Sequence, residues 1–162
     1  MAAVRKPREI FLSHASPDQR AAERIAQLLR EEYGLKVWFS PSNLRGADAW
    51  HDEIGKALVR CDCFVVLITP AAIRSPWVKH ELVFALSKRR YRHRIVPVKL
   101  KTCNPMRLSW VLQNIQIINA STSKPVDTAA DLAALWKVNK KQKTNPKPKT
   151  KKPKKRARTR RA

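Results

Sequence analysis

The first apolar run of the chain, Glu9-Ile10-Phe11-Leu12-Ser13, is short and ends in polar residues. Ser16-Pro17 after it reads as a helix N-cap with proline at the first helical position. A strand and then a helix are predicted. Ala22, Ile25, Ala26 and Leu29 recur at helical spacing, and Gly34 stands where a C-terminal cap would close that helix. Lys36-Val37-Trp38-Phe39 reads as a second strand. Ser40 to Asp48, with Pro41, Asn43 and Gly46, reads as a loop before a helix from about Ala49 to Arg60. Phe64-Val65-Val66-Leu67-Ile68 is the clearest strand, and its lack of alternation is what burial under helices on both faces produces.

Ser75-Pro76 repeats the cap-plus-proline pattern and opens a helix from Trp77 to about Lys88. Ile95-Val96-Pro97-Val98 gives a fourth strand, in which Pro97 indicates an edge or a bulge. A fifth strand at Ile115 to Ile118 and a helix from about Val126 to Val138, with Asp127 as one candidate cap, complete the pattern. Strands alternating with helices imply a flavodoxin-like α/β fold, a mostly parallel five-stranded sheet with helices on both faces and right-handed crossovers. The expected organisation is a short N-terminal extension over residues 1–7, one domain over 8–136 and a tail over 137–162.

Charge changes the picture only at the tail. The formal net charge is +23, but residues 1–136 hold 21 Lys and Arg against 12 Asp and Glu, whereas residues 137–162 hold 14 Lys and Arg and no acid. A segment of Lys, Arg, Pro and Thr cannot bury enough surface to offset ordering entropy, so the tail is expected to be disordered. Its run Lys151-Lys152-Pro153-Lys154-Lys155-Arg156-Ala157-Arg158 would bind nucleic acid or another polyanion nonspecifically, resembles a nuclear localisation signal, and reads equally as a solubilising appendage. Cys61, Cys63 and Cys103 lack C-x-x-C spacing, which fits a reducing, cytoplasmic setting without disulfides or a zinc site. The apolar run from Cys63 to Ile68 is far short of the roughly 20 residues of a membrane helix, so no transmembrane segment is expected.

In an open doubly wound sheet, ligands bind outside the carboxyl ends of the strands, where strand order reverses. That restricts the candidate site to Ser13-His14-Ala15, Ser40 to Ala47 and Thr69 to Ser75, with the helix starts that follow. At about 100° per residue, Trp77, Glu81, Ala85, Val78 and Leu82 form one arc, which sets a carboxylate within an apolar stripe. Desolvation there would raise its pKa and mark it for function, although a buried salt bridge would place an acid in the same way. On the residues alone, Trp77 and Trp50 read more commonly as core or loop-anchoring aromatics, and His14 more commonly as an ordinary loop residue that hydrogen-bonds the backbone than as a catalytic group. His80-Glu81-Leu82-Val83 begins like a zincin motif, but Phe84 stands where the second His belongs, and neither a P-loop nor G-x-G-x-x-G occurs.

Ile10-Phe11-Leu12-Ser13-His14-Ala15 with Asp18 resembles the first box of TIR domains. Val37-Trp38-Phe39 with Leu44-Arg45-Gly46 and Trp50 resembles their second strand and following loop. Val65-Val66-Leu67-Ile68-Thr69-Pro70 and Ser75-Pro76-Trp77-Val78-Lys79-His80-Glu81-Leu82 resemble the third box with its W-x-x-x-E motif. The resemblance implies an NAD+ glycohydrolase of defence or cell-death signalling. In that reading Glu81 is the catalytic residue, and Ser13, His14, Ala15, Phe39, Ser40, Leu44, Arg45, Trp50 and Trp77 line the cleft. NAD+ would be substrate, with no cofactor. The alternative it admits is a non-enzymatic adaptor acting by TIR–TIR association, mainly through the Ser40 to Ala47 loop and neighbouring helix surfaces, with the polyanion-binding tail as a third role; a carboxylate in an apolar arc, for which an adaptor has no physical need, favours the enzyme. Enzymes of this family are commonly fused to a sensor or oligomerisation domain. Beside only a tail, activation is expected from a partner, from concentration or from a polyanion gathering copies.

Overall fold

A computed structural model describes residues 5–39 and 47–142, the side chains of residues 47–50 excepted. Five strands, β1 (Ile10–Ser13), β2 (Val37–Phe39), β3 (Cys63–Ile68), β4 (Ile95–Lys99) and β5 (Ile118–Asn119), form one sheet in the order β2-β1-β3-β4-β5. All four pairings are parallel, which gives the flavodoxin-like topology. The helices are α1 (Gln19–Glu31), α2 (Ala47–Arg60), α3 (Pro70–Arg74), α4 (Pro76–Ser87) and α5 (Pro125–Leu135).

Alternate residues of each strand serve opposite layers. Ile10, Leu12, Val65 and Leu67 pack against Ile25 and Leu29 of α1 and Leu132 of α5. Phe11, Phe64, Val66 and Ile68 pack against Ile54 and Leu58 of α2, Ala72 of α3, and Val78 and Leu82 of α4. The unbroken apolar run of β3 follows from this arrangement, since all six of its residues are buried. Gly34 closes α1 as expected. Its φ of +65° lets its own N–H reach Arg30 O at 3.1 Å and that of Leu35 reach Leu29 O at 3.0 Å.

Several boundaries differ from expectation for local reasons. Ser16 is not the cap of α1: residues Ser16–Asp18 make a 3-10 turn first, with Ala15 at the cap position and no side-chain cap bond. Pro97 marks neither an edge nor a bulge, because β4 lies between β3 and β5. Leu100 N–H donates to Ile68 O on the β3 side, while Lys99 O accepts from Ala120 on the β5 side, so Pro97 faces β5. Pairing with β5 begins only at Val98, and the missing N–H of Pro97 therefore costs no ladder bond.

The fifth strand starts at Ile118 rather than Ile115, since a 3-10 turn over Trp110–Asn114 runs up to it and holds Ile115 N–H on Leu112 O. α5 ends at Leu135, short of Val138. Lys137 takes a φ of +54° and Val138 N–H folds back onto Ala133 O. Asp127 does cap that helix, from its third position, accepting the Lys124 backbone N–H at 3.1 Å. Thr69 to Ser75, expected as loop, contains α3, which Thr69 caps by accepting Ala72 N–H at 3.1 Å.

Candidate functional site

Strand order reverses between β1 and β3, so the crevice expected of this topology opens at the C-terminal ends of those two strands. Ser13 ends β1 there and is 1% exposed. α4 enters beside it because Ser75 caps the helix, accepting Val78 N–H at 3.3 Å, and Pro76 presets its first turn. One further turn along α4 brings Glu81 against the end of β1.

The Ser13 hydroxyl donates to Glu81 Oε2 at 2.5 Å. Glu81 is 7% exposed, among the buried Val78, Leu82 and Ala85, as the apolar arc predicts. Among the described residues no cation pairs with it. Burial therefore pushes its pKa from 4.5 up to about 7, against the smaller opposing pull of the Ser13 hydroxyl. Such a group ionises near neutrality and, once charged, has no fixed cation among the described residues to neutralise it. It is suited to accept hydrogen bonds from hydroxyl groups and to stabilise positive charge developing nearby.

Trp77 lies at the margin of the arc, 37% exposed, with its ring 4.6 Å from that of His51 and 6.3 Å from that of His80. His14 is half-buried, 6.0 Å from the Phe39 ring, with Nδ1 enclosed and without a hydrogen-bond partner among the described residues. Burial lowers its pKa, opposed by the Leu12 backbone and the charge of Asp18, so the imidazole is neutral at pH 7. Ala15 is buried in the layer under α2 and α4. Phe39 is half-buried, with the Arg30 guanidinium 5.3 Å from its ring centre. Ser40, Leu44 and Arg45 lie outside the described residues. The backbone of Trp50 belongs to the first turn of α2, and its side chain also lies outside them.

A second buried acid borders the crevice. Asp18, 4% exposed, accepts the Thr69 hydroxyl at 2.5 Å and the Lys101 ammonium at 3.3 Å. It joins the segments that follow β1, β3 and β4 at the end of the sheet where Glu81 sits. The only trace of this role in the sequence is the place of Asp18 in the first box, because its partners lie 51 and 83 residues away.

A family model described as TIR domain matches residues 10–135. The chain is 26% identical over 134 residues to the 2′ cyclic ADP-D-ribose synthase BtTIR of Bacteroides thetaiotaomicron, covering 80% of this chain and 46% of that protein. It is 29% identical over 134 residues to the NAD(+) hydrolase PdTIR of Paracoccus denitrificans (strain Pd 1222), covering 80% and 44%. The chain thus spans less than half the length of these curated relatives. Among solved structures, the TIR domain of the Toll-related receptor TRR-2 from Hydra magnipapillata superposes with a TM-score of 0.59 at 15% identity, over 78% of this chain and 96% of that one. The likeness is one of fold. No helix among the described residues is long and apolar enough to cross a membrane.

Proposed function

The chain belongs to the TIR domain family, and on that footing we propose that it cleaves the nicotinamide–ribose bond of NAD+ to give nicotinamide and ADP-ribose or a cyclic ADP-ribose. The observation that carries this reading is the Glu81 carboxyl group, desolvated beside Ser13 at the strand-order reversal and without a cation partner among the described residues. The printed names of the bacterial relatives, an NAD(+) hydrolase and a cyclic ADP-ribose synthase, point to the same chemistry.

One carboxylate is enough for this bond. The nicotinamide of NAD+ is already cationic and departs as a neutral base, so no proton donor is needed at the leaving group. Ionised Glu81 hydrogen-bonds the hydroxyls of the nicotinamide-side ribose and stabilises the positive charge that spreads over its ring as the bond breaks; water then adds at the ribose carbon and releases a proton to give ADP-ribose, or a nucleophilic group of the same ADP-ribose adds there to give the cyclic form. A cationic substrate beside Glu81 also favours ionisation of a group whose pKa burial raises to about 7 against the pull of Ser13. Ser13 holds the carboxylate in place, and Trp77 offers an aromatic surface one turn away for the ribose or the nicotinamide ring. His14, Ala15 and Phe39 line the cleft from β1 and β2. Ser40, Leu44, Arg45 and the Trp50 side chain, which lie outside the described residues, are assigned to the same cleft by the family resemblance alone.

The test is nicotinamide release from NAD+ by concentrated protein, compared with Glu81→Gln. The variant should lose at least about 10²–10³-fold in rate, as loss of a charge-stabilising group in an enzyme does, while melting as a folded protein. A folded Glu81→Gln protein that turns over at the unmodified rate would refute the assignment.

A further inference from the structure

The opposite end of the sheet, where the strands begin, carries a cationic cleft of about 490 Å³ lined by Arg5, Lys6, Arg8, Arg90, Arg94 and one acid, Asp62. Asp62 is already engaged. Arg94 reaches its Oδ2 at 2.7 Å, and Arg8 Nε lies 3.6 Å from the same atom. Arg5, Lys6 and Arg90 are exposed, and none has a carboxylate partner among the described residues.

The loop that supplies Arg90 and Arg94 to this cleft is built rather than loose. Six of the seven residues from Lys88 to Arg94 are Lys, Arg or His; the seventh, Tyr91, is 0% exposed and donates its hydroxyl to Leu58 O at 2.6 Å. Arg94 N–H returns to Tyr91 O at 2.8 Å, and Phe64 N–H ties Arg94 O to β3 at 2.9 Å. The buried tyrosine thereby fixes the loop and turns its cations outward. The last described residues also lie at this end, where Lys141 N–H donates to Glu32 O at 2.7 Å just past α1; in the sequence, residues 143–162 add eleven Lys and Arg with no acid.

We propose that this cleft, remote from Glu81, is a phosphate-backbone contact for double-stranded nucleic acid. Exposed rim cations, in a chain whose sequence adds further positive charge, match a ligand with phosphates at regular intervals better than one small enclosed anion. A lipid surface fits less well. Among the described residues the cleft lining offers no apolar side chain for insertion, and residues 143–162 contain no aromatic residue and, apart from three prolines, no apolar side chain larger than alanine. The proposal is independent of NAD+ cleavage.

The experiment titrates the full-length chain against a fluorescent 20-base-pair DNA duplex at several salt concentrations, for the unmodified chain and for Arg5→Gln/Lys6→Gln/Arg90→Gln. At about 0.9 in log–log salt slope per phosphate contact, the triple variant should lose roughly 2 to 3 of slope and bind at least about tenfold more weakly at moderate salt. A control, Arg20→Gln/Arg24→Gln/Arg74→Gln, removes the same charge from other exposed positions and should change the slope by less than about half as much. Equal losses in the two variants, or an unaltered slope in the first, would overturn the proposal. So would competition of the bound duplex by millimolar pyrophosphate with a slope near one, or binding to phosphatidylserine vesicles without binding to the duplex. All six side chains are exposed, and a melting curve for each variant confirms folding.

Discussion

Two acids, one at each end of the sheet, are buried to nearly the same degree and are treated in opposite ways. Asp62, 8% exposed, accepts the backbone N–H groups of Arg8 and Glu9 at 2.8 and 3.1 Å and the guanidinium of Arg94 at 2.7 Å. It staples the chain ahead of β1 to the starts of β3 and β4, and its charge is neutralised within the protein. Glu81, 7% exposed, has one hydroxyl and no charged partner among the described residues. A fold gains nothing by drying a carboxylate and leaving its charge unanswered, so burial alone does not separate a structural acid from a functional one. The partner list does.

The sharpest way to break the contrast is to remove the acid that the fold uses. Asp62→Ala leaves two backbone donors and Arg94 without their acceptor. Because Arg94 is 23% and Asp62 12% exposed at the side chain, the loss should fall at the low end of the range for a broken buried pair, about 3 kcal/mol. Denaturant unfolding measures it. NAD+ cleavage per folded molecule should stay unchanged, since the residue sits at the far end of the sheet from Glu81. A loss below about 0.5 kcal/mol would place Asp62 with ordinary surface pairs.

The mirror experiment should stabilise. Glu81 ionises near 4.5 when unfolded and near 7 when folded, so between those values the folded state holds the extra proton. Its contribution to stability is complete below about pH 4.5, declines as pH rises to about 7 and is constant above. Glu81→Gln cannot ionise and keeps an oxygen for the Ser13 hydroxyl. It should therefore be more stable than the unmodified chain at pH 8, by about 1–2 kcal/mol once the burial of an amide is counted, and nearly equal to it at pH 4.5. Melting curves at the two pH values decide the sign. A variant less stable at pH 8 would mean that the carboxylate has a stabilising partner after all.

The contrast also shows what the sequence carries. Glu81 was legible because helical periodicity is local: Val78, Leu82 and Ala85 define a buried arc within one helix, and the acid falls inside it. Its contact with Ser13 spans 68 residues and depends on how α4 meets the end of β1, which no local period encodes. Asp18 and Asp62 were silent for the same reason, as their partners come from other loops. Thr69-Pro70 does display the cap-plus-proline pattern that revealed α4, yet with Ser75-Pro76 so close behind it the four residues between read as loop. Pro97 misled because its meaning depends on which neighbour its missing N–H would face. Only the late start of β5 answers that.

The smallest effect tests whether Ser13 merely fills space or sets the readiness of the acid it touches. Its hydroxyl is the one hydrogen-bond partner found for Glu81 among the described residues, and that bond opposes the rise in pKa caused by burial. In Ser13→Ala the carboxylate loses its donor, and Glu81 should ionise at higher pH than before. If ionised Glu81 is the active form, the rising limb of the pH–rate profile moves alkaline by about one unit, equivalent to about 1.4 kcal/mol. The rate should then recover to within a few-fold of the unmodified protein once the pH lies well above the new midpoint. A profile that keeps its midpoint would assign Ser13 to packing. A rate depressed equally at every pH would instead mean that the hydroxyl meets the substrate directly, and that the crevice engages the ribose from the β1 side as well as from α4.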